Sequence, residues 1–262
     1  MTVARILIVA GSDSGGGAGI QADIKTVTLL GGHAMTAITA ITAQNTLGVT
    51  DIYAVPADMV LAQIEAVVSD IGVDAIKIGM IGSAETVEAV ADRLGHSDLA
   101  DVPMVFDPVM IATSGSRLAS EQTIALFGRL MRRATVSTPN LDEVGALAGR
   151  ALACETDVME AGNTLIAQGS GAILATGMSF LDDVLTDMLI DRDTHQRWEG
   201  RRIDTVHDHG TGCTLASAIA TGLAQGMMLP AAVARARDFV RAALLNAPGL
   251  GHGHGPMGHC PI

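Results

Sequence analysis

The stretch HGTGCTLASAIA joins a short glycine pair to a helix-forming run. Gly210, Thr211, Gly212 and Cys213 then bring successive backbone N–H groups to the positive end of a helix. That arrangement suits an anion, including a phosphoryl group in transfer. Cys213 falls in the first turn, where its thiol is expected below the ordinary value of ~8.5. An N-terminal cap beside a buried cysteine fits the same residues. In Thr138-Pro139-Asn140-Leu141-Asp142-Glu143, the side chains of Asn140 and Glu143 are three apart at a helix start. They share one face and suit a hydrated Mg²⁺, which takes oxygen ligands and keeps waters. A capping box uses the same two residues and is the commoner arrangement. Gln44 ends a strand-like run, and its amide can donate and accept side by side, as it does to adenine. An aminopyrimidine edge presents the matching pattern. Asp23, in the first helix, can accept a hydroxyl or amino proton. Gln44 satisfying loop backbone, and Asp23 stabilising a helix start, are the plain alternatives.

The run GSDSGGGAG follows the first strand, where open α/β sheets bind ligands. It is not a P-loop, because neither Lys25 nor Lys77 follows a G-x4-G spacing. Gly17-x-Gly19-x-x-Ala22 is a loose dinucleotide pattern, but no acid lies between Lys25 and Asp51 to hold a ribose. A tight turn explains these glycines as well. In the tail, His252, His254 and His259 are spaced by glycines in GLGHGHGPMGHC. That spacing favours a loop against the body over a metal site. Asp182, Asp183, Asp187, Asp191 and Asp193 read as a solvated edge.

The elements that must hold these residues alternate along the chain. Strands are expected at 4–10, 34–43, 49–55, 75–78, 103–106, 135–138 and 172–175, with an antiparallel hairpin at 183–200. Helices are expected at 20–30, 56–71, 83–95, 120–132, 141–147, 155–168, 211–225 and 230–245. Pro56 with Asp58 opens one helix, and Ser83 caps the next. Repeated βα units imply a mainly parallel sheet covered on both faces, whose buried strands read as short apolar runs. No repeat or long linker divides the chain, so residues 1–262 are assigned to one domain.

Composition narrows the field further. With 28 Asp+Glu against 16 Lys+Arg, the net charge is −12. Such a chain, without basic clusters, is a poor match to nucleic acid. Four Phe, one Trp and one Tyr also leave little for base stacking. Three scattered cysteines, Cys154, Cys213 and Cys260, make no disulfide framework, and a reduced cytoplasmic setting is expected. No apolar run reaches the ~20 residues of a membrane span, and no signal peptide precedes the first strand.

Together the stretches AGSDSGGGAGIQADIKT, ITAITAQNTLGV, IKIGMIGS, DPVMIATSGSRL, TPNLDE, HGTGCTLASAIA and GHGHGP are far more specific than any one alone. In their order they resemble hydroxymethylpyrimidine/phosphomethylpyrimidine kinases of thiamin biosynthesis, from residue 10 to residue 256. The resemblance implies a three-layer αβα ribokinase-like fold with a mainly parallel central sheet. It implies ATP-dependent phosphorylation of 4-amino-5-hydroxymethyl-2-methylpyrimidine and then of its monophosphate. Gln44 would read the pyrimidine, with Asp23, Met80 and Val109 around it and Gly11 and Ala18 as close-approach positions. The amides of Gly210, Thr211 and Gly212 would form the anion hole. Cys213 stands where many ribokinase-like kinases carry an aspartate base. Asn140 and Glu143 would organise Mg²⁺, through water, and the phosphates of ATP. A homodimer with no nucleic-acid or membrane partner is implied.

One departure stands out. The family usually carries Lys-Gly-Gly-His where this chain has Thr176-Gly177-Met178-Ser179. The phosphate-facing lysine is missing, and Arg201 and Arg202 are the candidates to replace it. Two rivals follow: a pyridoxal kinase, since pyridoxal is also a ring with a hydroxymethyl group, and a non-catalytic pyrimidine-binding sensor. A segment at 112–118 is a candidate lid.

Overall fold

The computed structural model describes residues 3–113, 115–181, 183–192 and 194–259. Asp182, Asp193 and Cys260 lie outside them, as does Ser114 of the candidate lid. The elements in chain order are β1 (Arg5–Asp13), α1 (Gly19–Leu29), β2 (His33–Asn45), β3 (Gly48–Ala54), α2 (Ala57–Asp70), β4 (Ala75–Ile78), α3 (Ala84–Leu94), β5 (Met104–Phe106), α4 (Glu121–Arg133) and β6 (Val136–Ser137). They continue with α5 (Leu141–Ala148), α6 (Glu155–Ala167), β7 (Ala172–Leu181), β8 (Val184–Ile190), β9 (His195–Arg201), α7 (Thr211–Ala224) and α8 (Leu229–Leu245).

One nine-stranded sheet runs β3-β2-β1-β4-β5-β6-β7-β8-β9. Strands β2, β1, β4, β5, β6 and β7 pair in parallel. β3 adds antiparallel at one edge, and β8 and β9 at the other. The mainly parallel expectation is met, and the hairpin at 183–200 is the β8–β9 pair.

The central strand shows why the layers form. Ile6, Leu7, Ile8, Val9 and Ala10 are all fully buried. Alternate side chains leave a strand on opposite faces. Leu7 and Val9 pack with Val60 and Ile64 of α2, Val87 and Val90 of α3, and Phe127 and Leu130 of α4. Ile6 and Ile8 pack with Val27 of α1, Ile219 of α7 and Val233 of α8. Each such side chain contributes roughly 1.5–3 kcal/mol of transfer free energy. Helices α5 and α6 add a smaller cluster, with Val144 and Val158 against Ala175 and Met188. Ser83 caps α3 as expected, accepting from the Thr86 N–H at 3.1 Å, and Ser120 caps α4 likewise.

Two strands are longer than their apolar runs suggest. β1 continues through Gly11, Ser12 and Asp13, because a register shift between Ala10 and Ser12 lets the polar residues keep pairing with β2. β7 continues past Ala175 through the Thr176–Ser179 stretch, held by antiparallel pairs to β8 with two further irregularities. Bulges of this kind bend a strand and re-aim its side chains. Both extensions reach the cavity described next.

Candidate active site

The order of strands reverses at β1, which has β2 on one side and β4 on the other. A cavity of about 710 Å³ opens beyond the carboxyl ends of these strands, where α/β sheets bind ligands. Its wall includes Gly11 from β1, Ala18 before α1, Gln44 from β2, Met80 after β4 and Val109 after β5. Asn140 and Glu143 of the β6–α5 turn, Thr176 of β7, and Gly210, Thr211, Gly212 and Cys213 at α7 complete it. All the expected site residues therefore meet there, with one exception.

The exception is Asp23, which is fully buried in α1 and absent from the cavity wall. Both its carboxylate oxygens lie 3.0 Å from Lys77 Nζ, and Oδ1 accepts from the Ser217 hydroxyl at 2.7 Å. Burial pushes the Asp23 carboxyl up, while Lys77 and Ser217 pull it back. Burial likewise opposes the Lys77 charge, and Asp23 overcomes it, raising the ammonium above its ordinary value. The bidentate geometry is that of an ion pair. Asp23 holds the α1–β4–α7 junction together and does not face a ligand. The same pairing removes Lys77 as a source of positive charge at the surface of the cavity.

The phosphate-like end of the cavity is built from backbone, but the Thr211 N–H, expected to meet an anion, donates instead to the Asp208 carbonyl at 3.3 Å. Gly210 caps α7 at φ +89, a left-handed conformation suited to glycine. A Cβ there would stand 2.0 Å from the Gly17 carbonyl oxygen, so the close approach also requires glycine. No lysine or arginine lines the cavity among the described residues, and Arg201 and Arg202 are absent from its wall. Thr176 stands beside Asn140, its N–H donating to the Pro139 carbonyl at 3.0 Å. The expected lowering of the Cys213 thiol is reversed: it is pushed up to about 12. Burial is the main cause; Asp23 and Asp107 add to it and Lys77 only partly offsets them. The helix dipole does not prevail over a half-buried sulfur between carboxylates.

Asn140 and Glu143 form a capping box: Asn140 Oδ1 accepts from the Glu143 N–H, and Glu143 Oε2 from the Asn140 N–H, each at 3.0 Å. Glu143 Oε1 also accepts from the Met110 N–H at 3.2 Å. The cap leaves the carboxyl on the cavity wall, so cap and ligand roles coexist. Burial first, then Asp107, pushes the Glu143 carboxyl up to about 8. Asp107 was not anticipated as a site residue. It follows β5, and its oxygens lie 3.7 Å from where a Cβ on Gly212 would stand. Its Oδ2 is buried without a hydrogen-bond partner of good geometry, and burial with the nearby Asp23 charge pushes the carboxyl up to about 6, Lys77 and the neighbouring Thr138 hydroxyl offsetting this only in part. An unpartnered buried carboxylate oxygen is costly unless something charged completes it. Asp107 and Glu143 offer the oxygen ligands a Mg²⁺ takes, and the cation would relieve both raised carboxyls. Among the described residues no group of three or more such side chains forms a closed cage. A metal would draw its other ligands from water and phosphate.

The opposite end is made of side chains. Gln44 stands between Thr42 and His209, 3.2 Å from the Thr42 hydroxyl and 3.1 Å from His209 Nε2. His209 Nε2 lies 3.0 Å from Asp13 Oδ2. Asp13 also accepts from the N–H groups of Gly15, Gly17 and Ala18 at 2.8–2.9 Å. Burial opposes its charge, but His209 and these amides win and hold the carboxyl below its ordinary value. Gly11 packs under Met80, whose Cε would be 2.6 Å from a Cβ there. Neither Asp13 nor His209 was singled out from the sequence, although each lies inside a motif that was. The tail packs as a loop: Pro256 pairs with His209, and His254 Nδ1 lies 2.8 Å from Asp208. Ile111 pairs with Arg117 across the candidate lid, and Ile111, Ala112, Thr113 and Leu118 face the cavity. Among the acids read as a solvated edge, Asp187 instead accepts from the Gly177 N–H at 2.7 Å and pairs with Arg237 at 2.6 Å.

A mainly parallel three-layer sheet with an anion-suited helix end and a ring-sized pocket defines a ribokinase-like small-molecule kinase. The chain belongs to the phosphomethylpyrimidine kinase family, whose profile matches residues 13–258. It is 46% identical over 260 residues to the hydroxymethylpyrimidine/phosphomethylpyrimidine kinase of Streptomyces coelicolor, covering 99% of this chain and 95% of that one. It is also 46% identical to the thiamine biosynthesis bifunctional protein of Geobacter sulfurreducens, over 97% of this chain and 52% of that longer protein. Among solved structures, Bacillus subtilis pyridoxal kinase in its ADP complex matches with a TM-score of 0.89 at 33% identity, covering 98% of each chain. The phosphomethylpyrimidine kinase of Clostridium difficile matches with a TM-score of 0.80 at 33% identity, covering 92% of this chain and 99% of that one.

Proposed function

We propose that this chain uses ATP to phosphorylate 4-amino-5-hydroxymethyl-2-methylpyrimidine and then its monophosphate, in thiamin biosynthesis. The observation that carries this reading is one cavity walled by both the Gln44 amide and the N-terminus of α7. Gln44 hydrogen-bonds the aminopyrimidine edge, with Met80, Val109, Gly11 and Ala18 shaping the slot. The hydroxymethyl group then points toward Cys213. Backbone amides of Gly210 and Gly212 hold the phosphoryl oxygens as charge shifts during transfer, the Thr211 N–H being donated to the Asp208 carbonyl. Thr176 and Asn140 border the nucleotide phosphates.

Asn140, Glu143 and Asp107 would hold Mg²⁺ through oxygen and water, and the cation would supply positive charge to a wall that has no lysine or arginine among the described residues. Phosphoryl transfer is chiefly positioning and electrostatics, with little need for a strong base. That suits Cys213, whose thiol keeps its proton in the free protein. Its Sγ orients the hydroxymethyl oxygen. Cys213→Ala should lower kcat by about 10²-fold, the cost of misplacing a reacting atom, and full turnover would refute the assignment.

The reading extends to a cytoplasmic homodimer acting as a single domain over residues 1–262, with no nucleic-acid or membrane partner. Cys154 and Cys213 are free, which fits a reduced compartment, and no helix among the described residues is long and apolar enough to cross a membrane. Light scattering tests the dimer.

The deciding experiment supplies ATP with the hydroxymethyl or the phosphomethyl pyrimidine and identifies products by mass spectrometry. The monophosphate and the pyrophosphate are expected in turn. Their absence, with pyridoxal phosphorylated instead, would move the assignment to the pyridoxal kinases, whose solved structures share the fold. Pyrimidine binding without any ADP formation would restore the sensor reading.

A further inference from the structure

The amide of Gln44 has two ends of the same shape, and the hydrogen bonds around it decide which is which. One end meets His209 Nε2 at 3.1 Å and the other meets Thr42 Oγ1 at 3.2 Å. Asp13 lies 3.0 Å from the same His209 nitrogen. Asp13 is an anion fed by three backbone amides, so it only accepts. His209 Nε2 must therefore carry a proton, in the neutral ring and the charged ring alike. A protonated ring nitrogen has no lone pair for an amide N–H. Thr42 gives a second, separate constraint. Its hydroxyl has one proton, and that proton goes to the Ser12 carbonyl at 2.9 Å, which cannot donate. Toward Gln44 the hydroxyl is left only as an acceptor.

With the amide nitrogen toward His209, both contacts fail. With the oxygen toward His209, it shares the single Nε2 proton with Asp13 as a second acceptor, and the nitrogen toward Thr42 donates to a hydroxyl that accepts, so neither contact sets donor against donor. We infer that the Asp13–His209 pair locks the Gln44 amide this way round and thereby fixes the orientation of the ring. His209 is a positioning residue, and the inference rests on Gln44 facing the ring.

The imidazole is held by its neighbours. A Cβ on Gly17 would stand 2.7 Å from His209 Cδ2, and the His209 N–H donates to the Gly255 carbonyl at 3.2 Å. What remains free on Gln44 is one lone pair on the His209 side and one N–H on the Thr42 side. A 4-aminopyrimidine matches this only with its amino group toward His209 and its ring nitrogen toward Thr42. The corresponding 4-oxo pyrimidine presents the reverse pattern, a carbonyl beside a ring N–H, and meets donor with donor.

The test is the ratio of kcat/KM for the 4-amino substrate to that for its 4-oxo counterpart. The intact protein should favour the amino form by about 10- to 100-fold, the discrimination one bidentate amide provides. In His209→Leu the amide is free to turn, and the ratio should fall toward unity. His209→Gln, which returns an N–H donor near the same place, should restore it. A general structural defect would lower both substrates alike and leave the ratio intact. Gln44→Leu separates the two layers of the argument. If the ratio survives in Gln44→Leu, the reading of Gln44 falls. If it collapses there but survives in His209→Leu, only the lock is overturned. Independently of any variant, the Gln44 side-chain NH₂ protons should show nuclear Overhauser contacts to the Thr42 methyl group. Contacts to the His209 ring instead would overturn the inference.

Discussion

Two buried carboxylates sit within reach of Lys77 and have opposite fates. Asp23 is bidentate to the lysine and accepts a hydrogen bond from the Ser217 hydroxyl. Asp107 keeps an oxygen with no hydrogen-bond partner. The first is completed inside the protein, where it joins α1 to β4 and α7. The second is left open toward the cavity, and its charge becomes useful when a cation arrives. Burial alone therefore does not separate a structural acid from a functional one. Completion of the hydrogen-bond shell does.

The largest expected effect breaks the closed side. Asp23→Ala leaves a fully buried ammonium unpaired and should cost about 3–5 kcal/mol of stability. Urea unfolding measures it, and adding Lys77→Met should recover most of the loss. A loss below 1 kcal/mol would show that the two acids do not differ as argued.

The next effect has the opposite sign for stability. Asp107→Asn removes a carboxyl that folding raises to about 6. A raised acid binds more protons in the folded state, so the parent loses stability as pH rises from ~4 through ~6. The variant should lack that part of the slope and gain on the order of 3 kcal/mol at pH 8. Its turnover should fall by about 10²- to 10³-fold, the usual cost of losing one preorganised electrostatic partner. A variant both less stable and fully active would reverse the comparison.

The smallest effect sharpens it. If the missing lysine is the cost of relying on Asp107, Glu143 and a cation, Thr176→Lys should raise kcat/KM for ATP. A charge-assisted contact of about 1.5–3 kcal/mol corresponds to roughly 10- to 100-fold. It should also lower the Mg²⁺ concentration needed for half-maximal rate. An unchanged kcat/KM would mean that Thr176 faces no phosphate.

The sheet was legible because its buried strands are short apolar runs, as Ile6 to Ala10 show. The extensions of β1 and β7 were not, because Gly11-Ser12-Asp13 and Thr176-Gly177 have turn composition and are held straight only by neighbours across bulges. Gln44, Asn140, Glu143 and the 210–213 stretch were legible as motifs. Asp23 was not, because its partner is Lys77, 54 residues away. The Cys213 thiol went the other way for a similar reason: the helix end is local, but the carboxylates around it come from other elements. His209, Asp13 and Asp107 each lay next to a recognised residue. A signal was present in the aspartate that ends β1 and the aspartate that follows β5, both at the ligand-binding ends of parallel strands.

The contact between Asp13 and His209 spans 196 residues. His209 in turn pairs with Pro256, near the end of the chain. A growing chain can lay down β1 early, yet His209 and the start of α7 join the pocket wall only later, and Pro256, which pairs with His209, emerges later still. Long-range closures of this kind are slow, since chain entropy is lost before contacts compensate it. The order of synthesis therefore makes the pocket the final part to form. Cleavage within the glycine-rich tail should unmake it first, while the sheet beneath stays folded.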